Sequence, residues 1–358
     1  MVFDDVLEIR NGRNQKAVEN PDGKYPIYGS GGIIGRADDY ICDAETVVIG
    51  RKGNINKPIF VEEPFWNVDT AFGLEANKTV LLPRYLYYFC VNYDFEKHNK
   101  TVTIPSLTKA DLLKIQINLP SLVEQKDIVD KLQLAEKIIY RRRQELDTFD
   151  RLIKARFVEL FGDMILNPNG WEQSSLGKVC DVRDGTHDSP KYYMEGYPLV
   201  TSKNVTSGKI DFSDCSLICE DDYEKINQRS KVDYGDILMP MIGTVGNPVI
   251  VDVEPKFAIK NVALIKFYED SSVLNTFVKG LLESDYFDRA VISKVRGGTQ
   301  KFIALGNIRE LQISIPPMNI QLDYQYFVQQ VDKSKSVVKK SLDETQLLFD
   351  SLMQKYFG

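Results

Sequence analysis

Basic, amide and hydroxyl side chains recur beside glycine-containing turns in this sequence. Two such sets lie in the first half of the chain: Arg51, Lys52, Asn54 and Lys57, then Lys97, His98, Asn99, Lys100 and Thr101. Two more lie in the second half: Thr201, Ser202, Lys203 and Asn204, then Lys294, Arg296, Gly298, Thr299, Gln300 and Lys301. Arg and Lys can bond guanine edges, Asn and Gln adenine edges, and any of them phosphate. One set alone is more typical of a solvated loop, but recurrence in both halves favours contact with DNA.

Residues typical of metal sites are sparse. The chain has two histidines, His98 and His187, which lie far apart in sequence. Cys215 and Cys219 are spaced more widely than in the usual metal-binding pair, and no second pair completes a tetrahedral site. The sequence therefore predicts no metal site, and these two cysteines are more typical of buried or half-buried thiols.

Motifs of enzymes that act on DNA or nucleotides are incomplete. Asn167–Gly170 begins like a methyltransferase motif but lacks its second proline and aromatic ring, which favours a linker turn. Gly29–Gly32 lacks the Gly-Lys-Ser/Thr ending of a phosphate-binding loop. No recognisable nuclease core of carboxylates and a lysine stands out. We therefore expect no catalytic activity from this chain.

The composition is that of a globular protein with two or three domains. The chain has 358 residues, of which 43 % are hydrophobic, and a net charge of −6. Mild acidity disfavours coating of nucleic acid through bulk charge, whereas local basic patches can still bind it. No apolar run is long enough to span a membrane, and the first residues lack the pattern of a signal peptide. Together with five cysteines, these features predict a cytoplasmic protein without membrane contact.

The sequence repeats itself. Four segments recur in the same order: Val6–Gly12 as Val179–Gly185, Tyr25–Tyr28 as Tyr197–Val200, Ile49–Asn54 as Ile242–Asn247, and Ile115–Pro120 as Leu311–Pro316. The offset between copies drifts from 173 to 196 because of internal insertions. A series of ordered matches indicates a tandem duplication.

Each half opens with a mixed globule and closes with a long helix. Short runs of β-branched and aromatic residues bounded by turn residues predict strands. After Pro120 and Pro316, seam residues alternate four and three apart, the spacing of a coiled coil. The first seam is Ile128, Leu132, Ala135, Ile139, Arg142, Leu146, Phe149, Ile153, Arg156 and Leu160. The second is Tyr324, Val328, Val331, Lys335, Val338, Leu342, Thr345, Phe349, Leu352 and Tyr356.

Several segments together identify a resemblance. They are Tyr25–Gly32, Ile49–Gly53, Trp66–Ala71, Ile104–Leu107, Leu119–Gln125, Arg156–Gly162 and Asp184–Lys191. With the duplicated layout of globule and helix, they make nearly the whole chain resemble the specificity subunit of type I restriction–modification systems. One departure is that Trp171–Gly177, which precedes the second globule, has little counterpart at the amino terminus.

The resemblance implies a division of labour. Each globule is expected to read one half of a bipartite double-stranded DNA sequence, and the two helices to set the spacing and dock two modification (methyltransferase) subunits. Those subunits would bring S-adenosylmethionine, no cofactor would bind to this chain, and a restriction/translocase subunit would join the complex. Within the motif Asp184–Lys191, His187 joins the predicted DNA-binding residues. The remaining rival is a structural adaptor without DNA contact, which would show no salt-sensitive DNA binding.

These observations predict an α+β fold with two target-recognition globules separated by two long helices in an antiparallel coiled coil, with internal pseudo-twofold symmetry. The expected domains are residues 1–120 (first target recognition domain), 121–162 (central helix), 163–317 (second target recognition domain) and 318–358 (C-terminal helix). Because the two globules have diverged, we expect them to read different half-sites. A four-residue insertion near Arg141–Arg143 is expected to lengthen the spacer between them.

Overall fold

The chain divides into two units, each built from sheets, short helices and parts of two long helices. The computed structural model describes residues 1–99, 104–205, 208–242, 245–294 and 302–358. Unit 1 comprises residues 1–144 and 339–358, and unit 2 comprises residues 145–338.

Unit 1 contains seven strands and three short helices among its described residues. The strands are β1 (Leu7–Asn11), β2 (Tyr25–Gly29), β3 (Gly32–Ala37), β4 (Thr46–Gly50), β5 (Ile59–Val61), β6 (Trp66–Asn67) and β7 (Ala71–Ala76). The helices are α1 (Phe3–Val6), α2 (Pro83–Asn92) and α3 (Lys109–Leu112), with a 3₁₀ turn at Phe95–His98. The long helix α4 (Leu122–Phe161) begins in this unit and ends in unit 2.

Unit 2 has a longer set of elements. Its strands are β8 (Gln173–Ser175), β9 (Cys180–Asp184), β10 (Tyr197–Val200), β11 (Ser216–Ile218), β12 (Ile237–Pro240), β13 (Val249–Ile250), β14 (Ala258–Ile259), β15 (Val262–Phe267) and β16 (Gln312–Ser314). Its short helices are α5 (Leu176–Val179), α6 (Glu220–Ser230), α7 (Asn275–Leu282), α8 (Asp285–Ala290) and α9 (Leu305–Arg309), with 3₁₀ turns at Ser202–Val205 and Ile292–Lys294. The long helix α10 (Met318–Phe357) begins here and ends in unit 1.

The two units share one sheet topology. An antiparallel sheet of order β1-β7-β4-β5 in unit 1 corresponds to β9-β15-β12-β13 in unit 2. A three-stranded sheet of order β3-β2-β6 corresponds to β11-β10-β14, and in both the last pair is parallel. The predicted α+β class and the internal duplication are therefore confirmed.

Strand pairing fixes which residues are equivalent, and it corrects two details. Ile49 pairs with Phe72 as Met239 pairs with Ala263, so Met239 is the structural equivalent of Ile49. The sequence match of Ile49 with Ile242 is therefore three residues out of register. Ile242 instead lies beyond the end of β12. We expected Trp171–Gly177 to have little counterpart at the amino terminus, and for the last residues of this segment that expectation is wrong. Val2 bridges Gln116 just as Ser175 pairs with Gln312.

The long helices pack against each other in opposite directions within each unit. In unit 1, Ile128 and Leu132 near the start of α4 share a core with Met353 near the end of α10. In unit 2, Phe157 near the end of α4 packs on Tyr324 near the start of α10, with ring centroids 5.6 Å apart. The predicted antiparallel helix pair is therefore confirmed.

The predicted seam accounts for one buried face of these helices. All twenty seam residues are buried or half-buried, as knobs between two helices should be. Lys335, a charged seam residue, places its Nζ 2.6 Å from Asp150 Oδ1. The guanidinium of Arg156 lies 5.6 Å from the ring centroid of Phe327. The charged group of Lys335 is thus paired with a carboxylate and that of Arg156 lies against an aromatic ring.

A second buried face, outside the seam, packs the helices onto the globules. Phe161, at the end of α4, meets Phe277 of α7 with ring centroids 4.8 Å apart. Phe357, at the end of α10, meets Tyr85 of α2 with centroids 5.0 Å apart. These contacts are equivalent, because the end of α4 packs on the unit 2 globule in the way that the end of α10 packs on the unit 1 globule. Among the described residues, no helix combines the length and apolar composition needed to cross a membrane.

Candidate nucleic-acid interface

Backbone hydrogen bonds gather the loops of unit 1 at one end of its sheets. We call these loops, residues 12–16, 30–31, 51–54, 68–70 and 105–106, loop cluster 1. The bonds run from Gly12 N to Ala71 O, Arg13 N to Asn67 O, Val68 N to Tyr28 O, and Leu107 N to Arg51 O, at 2.9–3.3 Å. Because these bonds involve the main chain, they hold the loops together whatever the side chains are.

Unit 2 contains the same arrangement, loop cluster 2, formed by residues 185–190, 201–204, 241–242, 260–261 and 302–303. Its bonds run from Gly185 N to Val262 O, Thr186 N to Ile259 O, Lys260 N to Val200 O, and Ile303 N to Met241 O, at 2.9–3.0 Å. Each of the four bonds has its equivalent in loop cluster 1. One backbone frame therefore occurs twice and carries different side chains.

Gly12 and Gly185 are the equivalent residues at which two loops approach most closely. A Cβ atom on Gly12 would overlap the carbonyl group of Val68, and one on Gly185 would overlap that of Ile259. Both neighbours are backbone atoms, which no side-chain rotation can move away. Glycine is therefore required here for close approach of two main chains.

The first predicted set lies in loop cluster 1. Arg51, Lys52 and Asn54 are exposed in the turn after β4, and Lys57 is exposed just before β5. The Arg51 guanidinium stands 5.7 Å from the ring centroid of Phe72, and Lys52 bridges Ser106 through its backbone. The contacts with Phe72 and Ser106 thus hold the turn in place, while the charged groups of its basic side chains remain accessible to solvent.

The second predicted set adjoins the first. Lys97 is exposed on the 3₁₀ turn, and His98 accepts or donates at Nε2 to the Tyr93 hydroxyl, 2.7 Å away. The Asn56 side chain bonds the backbone of Phe95, and Ser106 N donates to Asn99 Oδ1, at 2.7 and 3.2 Å. The structure therefore brings the two sets of unit 1 together. Lys100 and Thr101 lie outside the described residues.

His187 belongs to a hydrogen-bonded group at the start of loop cluster 2. Its Nε2 lies 2.9 Å from Asp184 Oδ2 and its Nδ1 lies 2.7 Å from Asn261 Oδ1. The bond to Asn261, followed by the bond to Asp184, raises the pKa of His187. The other oxygen of the buried Asp184 pairs with Arg229. Both ring nitrogens are thus engaged, so His187 orders the loop rather than offering a free base-reading edge.

The third predicted set contains residues at the surface of the loop and one residue that is buried inside it. Ser202 donates its hydroxyl to Asn261 O at 3.2 Å, beside His187, and exposed Lys203 pairs with Asp214 at 2.8 Å. Asn204 is buried, and its amide accepts from Thr201 and donates to Asp211 O. Because these bonds occupy the Asn204 amide inside the loop, we leave it out of the proposed interface.

The fourth predicted set is described at one residue alone. Lys294 ends the 3₁₀ turn Ile292–Lys294. Arg296, Thr299, Gln300 and Lys301 lie outside the described residues, together with Gly298.

Residues that sequence inspection missed occupy the same frame. Arg13 and Asn14 of unit 1 are exposed at the positions equivalent to Thr186 and His187. Lys260 reaches Ser189 with its Nζ 2.6 Å from the hydroxyl oxygen. The internal repeat contained the signal for these two residues. It aligns Gly12 with Gly185, and extending that alignment by two residues places Arg13 and Asn14 opposite Thr186 and His187.

Charge and chemistry in loop cluster 1 suit an anionic partner. Its loops carry four exposed cations, Arg13, Lys16, Arg51 and Lys52, against one exposed carboxylate, Asp69. In the part of the chain that the structure describes, no three His, Cys, Asp or Glu side chains are grouped to hold a metal ion. The five cysteines are free thiols. Basic and amide side chains such as those of Arg13, Asn14 and Arg51 can bond phosphates and base edges.

Comparison with known proteins gives a consistent assignment. The family model described as the type I restriction modification DNA specificity domain matches residues 2–148 and 168–345. The EcoBI specificity subunit of Escherichia coli is 22 % identical over 94 % of this chain and 77 % of its own length. The MjaVIII specificity subunit of Methanocaldococcus jannaschii is 23 % identical over 85 % of this chain and 73 % of its own.

A solved structure shares the fold. The type I restriction–modification S subunit of M. genitalium is similar with a TM-score of 0.64 at 17 % identity, covering 100 % of this chain and 95 % of that one. The family match spans both loop clusters and most of both long helices. The chain therefore belongs to the family of type I restriction–modification DNA specificity subunits.

Proposed function

We propose that loop cluster 1 and loop cluster 2 each read one half of a bipartite DNA sequence. The family assignment makes this chain the DNA-recognition component of a type I system rather than an enzyme. The observation that carries the division into half-sites is the duplicated backbone frame, held by four equivalent hydrogen bonds in each unit. Because the same backbone frame occurs in each unit, the chain can present two sets of side chains to one duplex.

The two half-sites differ because equivalent positions carry different chemistry. Exposed Arg51 of loop cluster 1 corresponds to buried Met241, and buried Val68 corresponds to Lys260. An arginine can bond guanine in the major groove and a lysine can bond guanine or phosphate, whereas Met and Val can do neither. The recognised sequence is therefore asymmetric.

The domain boundaries follow from the same reading. We assign residues 1–120 and 163–317 to the two target recognition domains, and residues 121–162 and 318–358 to the helices between them. Each helix has 40 residues, which at 1.5 Å per residue is about 60 Å of helix. In this proposal the helix pair sets the length of the non-specific spacer between half-sites.

Type I specificity subunits act in complexes with other subunits and bind DNA. For this chain we propose two methyltransferase subunits, which bring S-adenosylmethionine, and a restriction/translocase subunit, all in the cytoplasm. Support comes from apolar side chains outside the seam that stay more than half exposed, Leu134 and Tyr140 in unit 1 and Tyr326 and Val337 in unit 2. Such side chains on rigid helices suit docking of a protein partner.

Mapping of DNA methylation in a host that expresses the chain with its methyltransferase subunits tests the proposal. The expected result is one asymmetric split motif, absent when the chain is omitted. The purified chain alone is expected to methylate nothing. A symmetric motif, or methylation independent of the chain, would contradict the proposal.

The residues of loop cluster 1 are tested by binding. Arg51→Ala with Lys52→Ala should weaken binding of the complex to the mapped duplex. The slope of affinity against salt concentration, on logarithmic axes, should become shallower by about 0.9 for each phosphate that the variant no longer neutralises. Lys126→Ala, an exposed lysine of α4, is the matched control and should leave both quantities unchanged. Equal effects of the two changes would remove loop cluster 1 from the interface.

A further inference from the structure

Two exposed isoleucines stand at the tip of a hairpin in loop cluster 1. Strands β2 and β3 pair antiparallel around the two-residue connection Ser30–Gly31, with a register shift between Ile27 and Tyr28. Ile33 and Ile34 are 63 % and 56 % exposed, while Ile27 on the neighbouring strand is fully buried. Strand β3 is at the edge of its sheet. The hairpin therefore presents adjacent branched apolar side chains to solvent, at a position where they add nothing to the core.

The turn of this hairpin touches the basic turn of loop cluster 1. The Cβ position of Gly31 lies 3.6 Å from Asn54 Nδ2, and that of Gly50 lies 3.1 Å from the Ser30 Cβ. The loops joined to this point carry four exposed cations and one carboxylate. The hairpin turn therefore adjoins loops in which exposed cations outnumber exposed carboxylates.

A partner for this surface needs anionic groups around an apolar face. A DNA duplex offers this combination, because phosphates flank the stacked bases and an aliphatic side chain can wedge between two base pairs. A protein partner would need an acidic rim around an apolar pocket. The family assignment makes DNA the macromolecule that loop clusters engage, which favours the duplex.

Unit 2 does not repeat this feature. Leu199 pairs with Ser216 as Ile27 pairs with Gly35, so Asp214 and Cys215 precede β11 where Ile33 and Ile34 precede Gly35. The connection before β11, residues 201–215, is much longer than Ser30–Gly31. Insertion at this position would therefore be a property of the first half-site alone.

We propose that the β2–β3 hairpin inserts Ile33 and Ile34 against a base step of the first half-site, unstacking it and kinking the duplex there. This inference rests on the proposed function and adds a way of reading DNA, because the cost of unstacking depends on the base step. Flexible pyrimidine–purine steps are the expected targets.

The test uses the complex with its methyltransferase subunits and the mapped duplex, with 2-aminopurine placed in turn at each position of the first half-site. The base to be methylated is excluded, because methyltransferases turn that base out of the helix. The wild-type complex should raise fluorescence at one step. Ile33→Ser with Ile34→Ser should abolish that rise and weaken binding about tenfold or more. Val123→Ser, an exposed valine of α4, is the control and should change neither.

The outcomes separate the two proposals. If the wild-type complex prefers the mapped duplex over a scrambled one but no step responds, or if the response persists in the double variant, insertion is wrong and the proposed function stands. If the double variant no longer co-purifies with the methyltransferase subunits, the hairpin is a protein contact and insertion is wrong. If the wild-type complex shows no sequence preference, the proposed function fails and the insertion fails with it.

Discussion

The charged group at Asp184 shows how single residues order a loop. The buried carboxylate accepts from His187 at 2.9 Å and pairs with Arg229, while Asn261 holds the other ring nitrogen of His187 at 2.7 Å. Two acceptors facing both ring nitrogens favour the imidazolium form, because only that form can donate from both. The pKa of His187 is raised for this reason, with the bond to Asn261 as the largest cause and the bond to Asp184 next.

The pKa of His187 is expected to lie above the ordinary value of about 6.5, and Asp184→Asn should lower it. Because the folded-state pKa is raised, the stabilisation is fully present below the unfolded-state pKa and is lost as the pH rises through the folded-state pKa. NMR titration measures it directly, since the chain has two histidines and His98→Gln assigns the remaining signal. An unchanged titration in Asp184→Asn would remove the carboxylate from this role.

Gly185→Ala should damage recognition of the second half-site. The added Cβ overlaps the Ile259 carbonyl, so the loops must separate, at a cost of about 1–3 kcal/mol. We expect about tenfold or greater loss of affinity for the mapped duplex. Gly306→Ala meets nothing within 4 Å and serves as the control. Fluorescence anisotropy measures the affinity of each variant for the mapped duplex. Wild-type affinity of Gly185→Ala would show that the two loops can move apart without loss of recognition.

At the scale of elements, one buried glutamine in each unit ties a long helix to its globule. Gln125 Oε1 accepts from Leu82 N, which precedes α2, and its Nε2 donates to Val80 O and Pro120 O, at 2.8–2.9 Å. Gln321 makes the same three bonds with Leu274, Ser272 and Pro316. Each glutamine supplies an acceptor for a backbone N–H at the start of a helix and partners for two carbonyl groups.

Replacing either glutamine should destabilise its unit. Gln125→Leu or Gln321→Leu removes the partners of one backbone N–H and two carbonyl groups, and we expect the free energy of unfolding to fall by about 2–3 kcal/mol. Gln330→Leu, at an exposed position of α10, should stay within about 0.5 kcal/mol of wild type. Denaturant unfolding measures all three. A loss no larger than that of the control would mean that water replaces the missing partners.

The helix pair should act as a ruler when both helices are lengthened. Contacts between the helices lie on both sides of the middle of the pair, Arg143 with Gln346 in unit 1 and Lys335 with Asp150 in unit 2. Four residues inserted after Arg143 and four after Lys339 fall between these two contacts, so they keep both and add about 6 Å. The spacer should grow by roughly one or two base pairs, with both half-sites unchanged.

Methylation mapping reads out this change. Four residues inserted into the turn Asn167–Gly170, which lies beyond the end of α4, are the control and should leave the spacer as it was. Full activity with an unchanged spacer in the helix variant would show that the helices do not set the distance.

At the scale of the whole molecule, we expect recognition to be modular, because each loop cluster is held by bonds within its own unit. Replacing residues 171–310 with the corresponding globule of another family member should change the second half-site and leave the first. The methylation motif of the chimaera measures this. A change in both half-sites would mean that side chains of one unit help to read the other half-site.

Local periodicity and repetition were sufficient to predict the architecture. The seam spacing of α4 and α10 marks a buried stripe whatever packs on it, and all twenty predicted positions are buried or half-buried. The ordered repeats predicted a duplicated globule because two segments of related sequence adopt the same fold. These signals are short-range, so they survive without knowledge of the tertiary structure.

The composition of the site required the tertiary structure. Asn204 and Lys203 are neighbours in sequence, yet one is buried and bonded inside its loop and the other is exposed. Phe161 and Phe357 lie beside the seam, and their partners Phe277 and Tyr85 are distant in sequence. Which loops meet depends on backbone bonds between residues dozens of positions apart, and no local pattern encodes those pairings. The sequence by itself therefore determined the elements and their duplication, while the fold decided which side chains of the loops are buried and which are exposed.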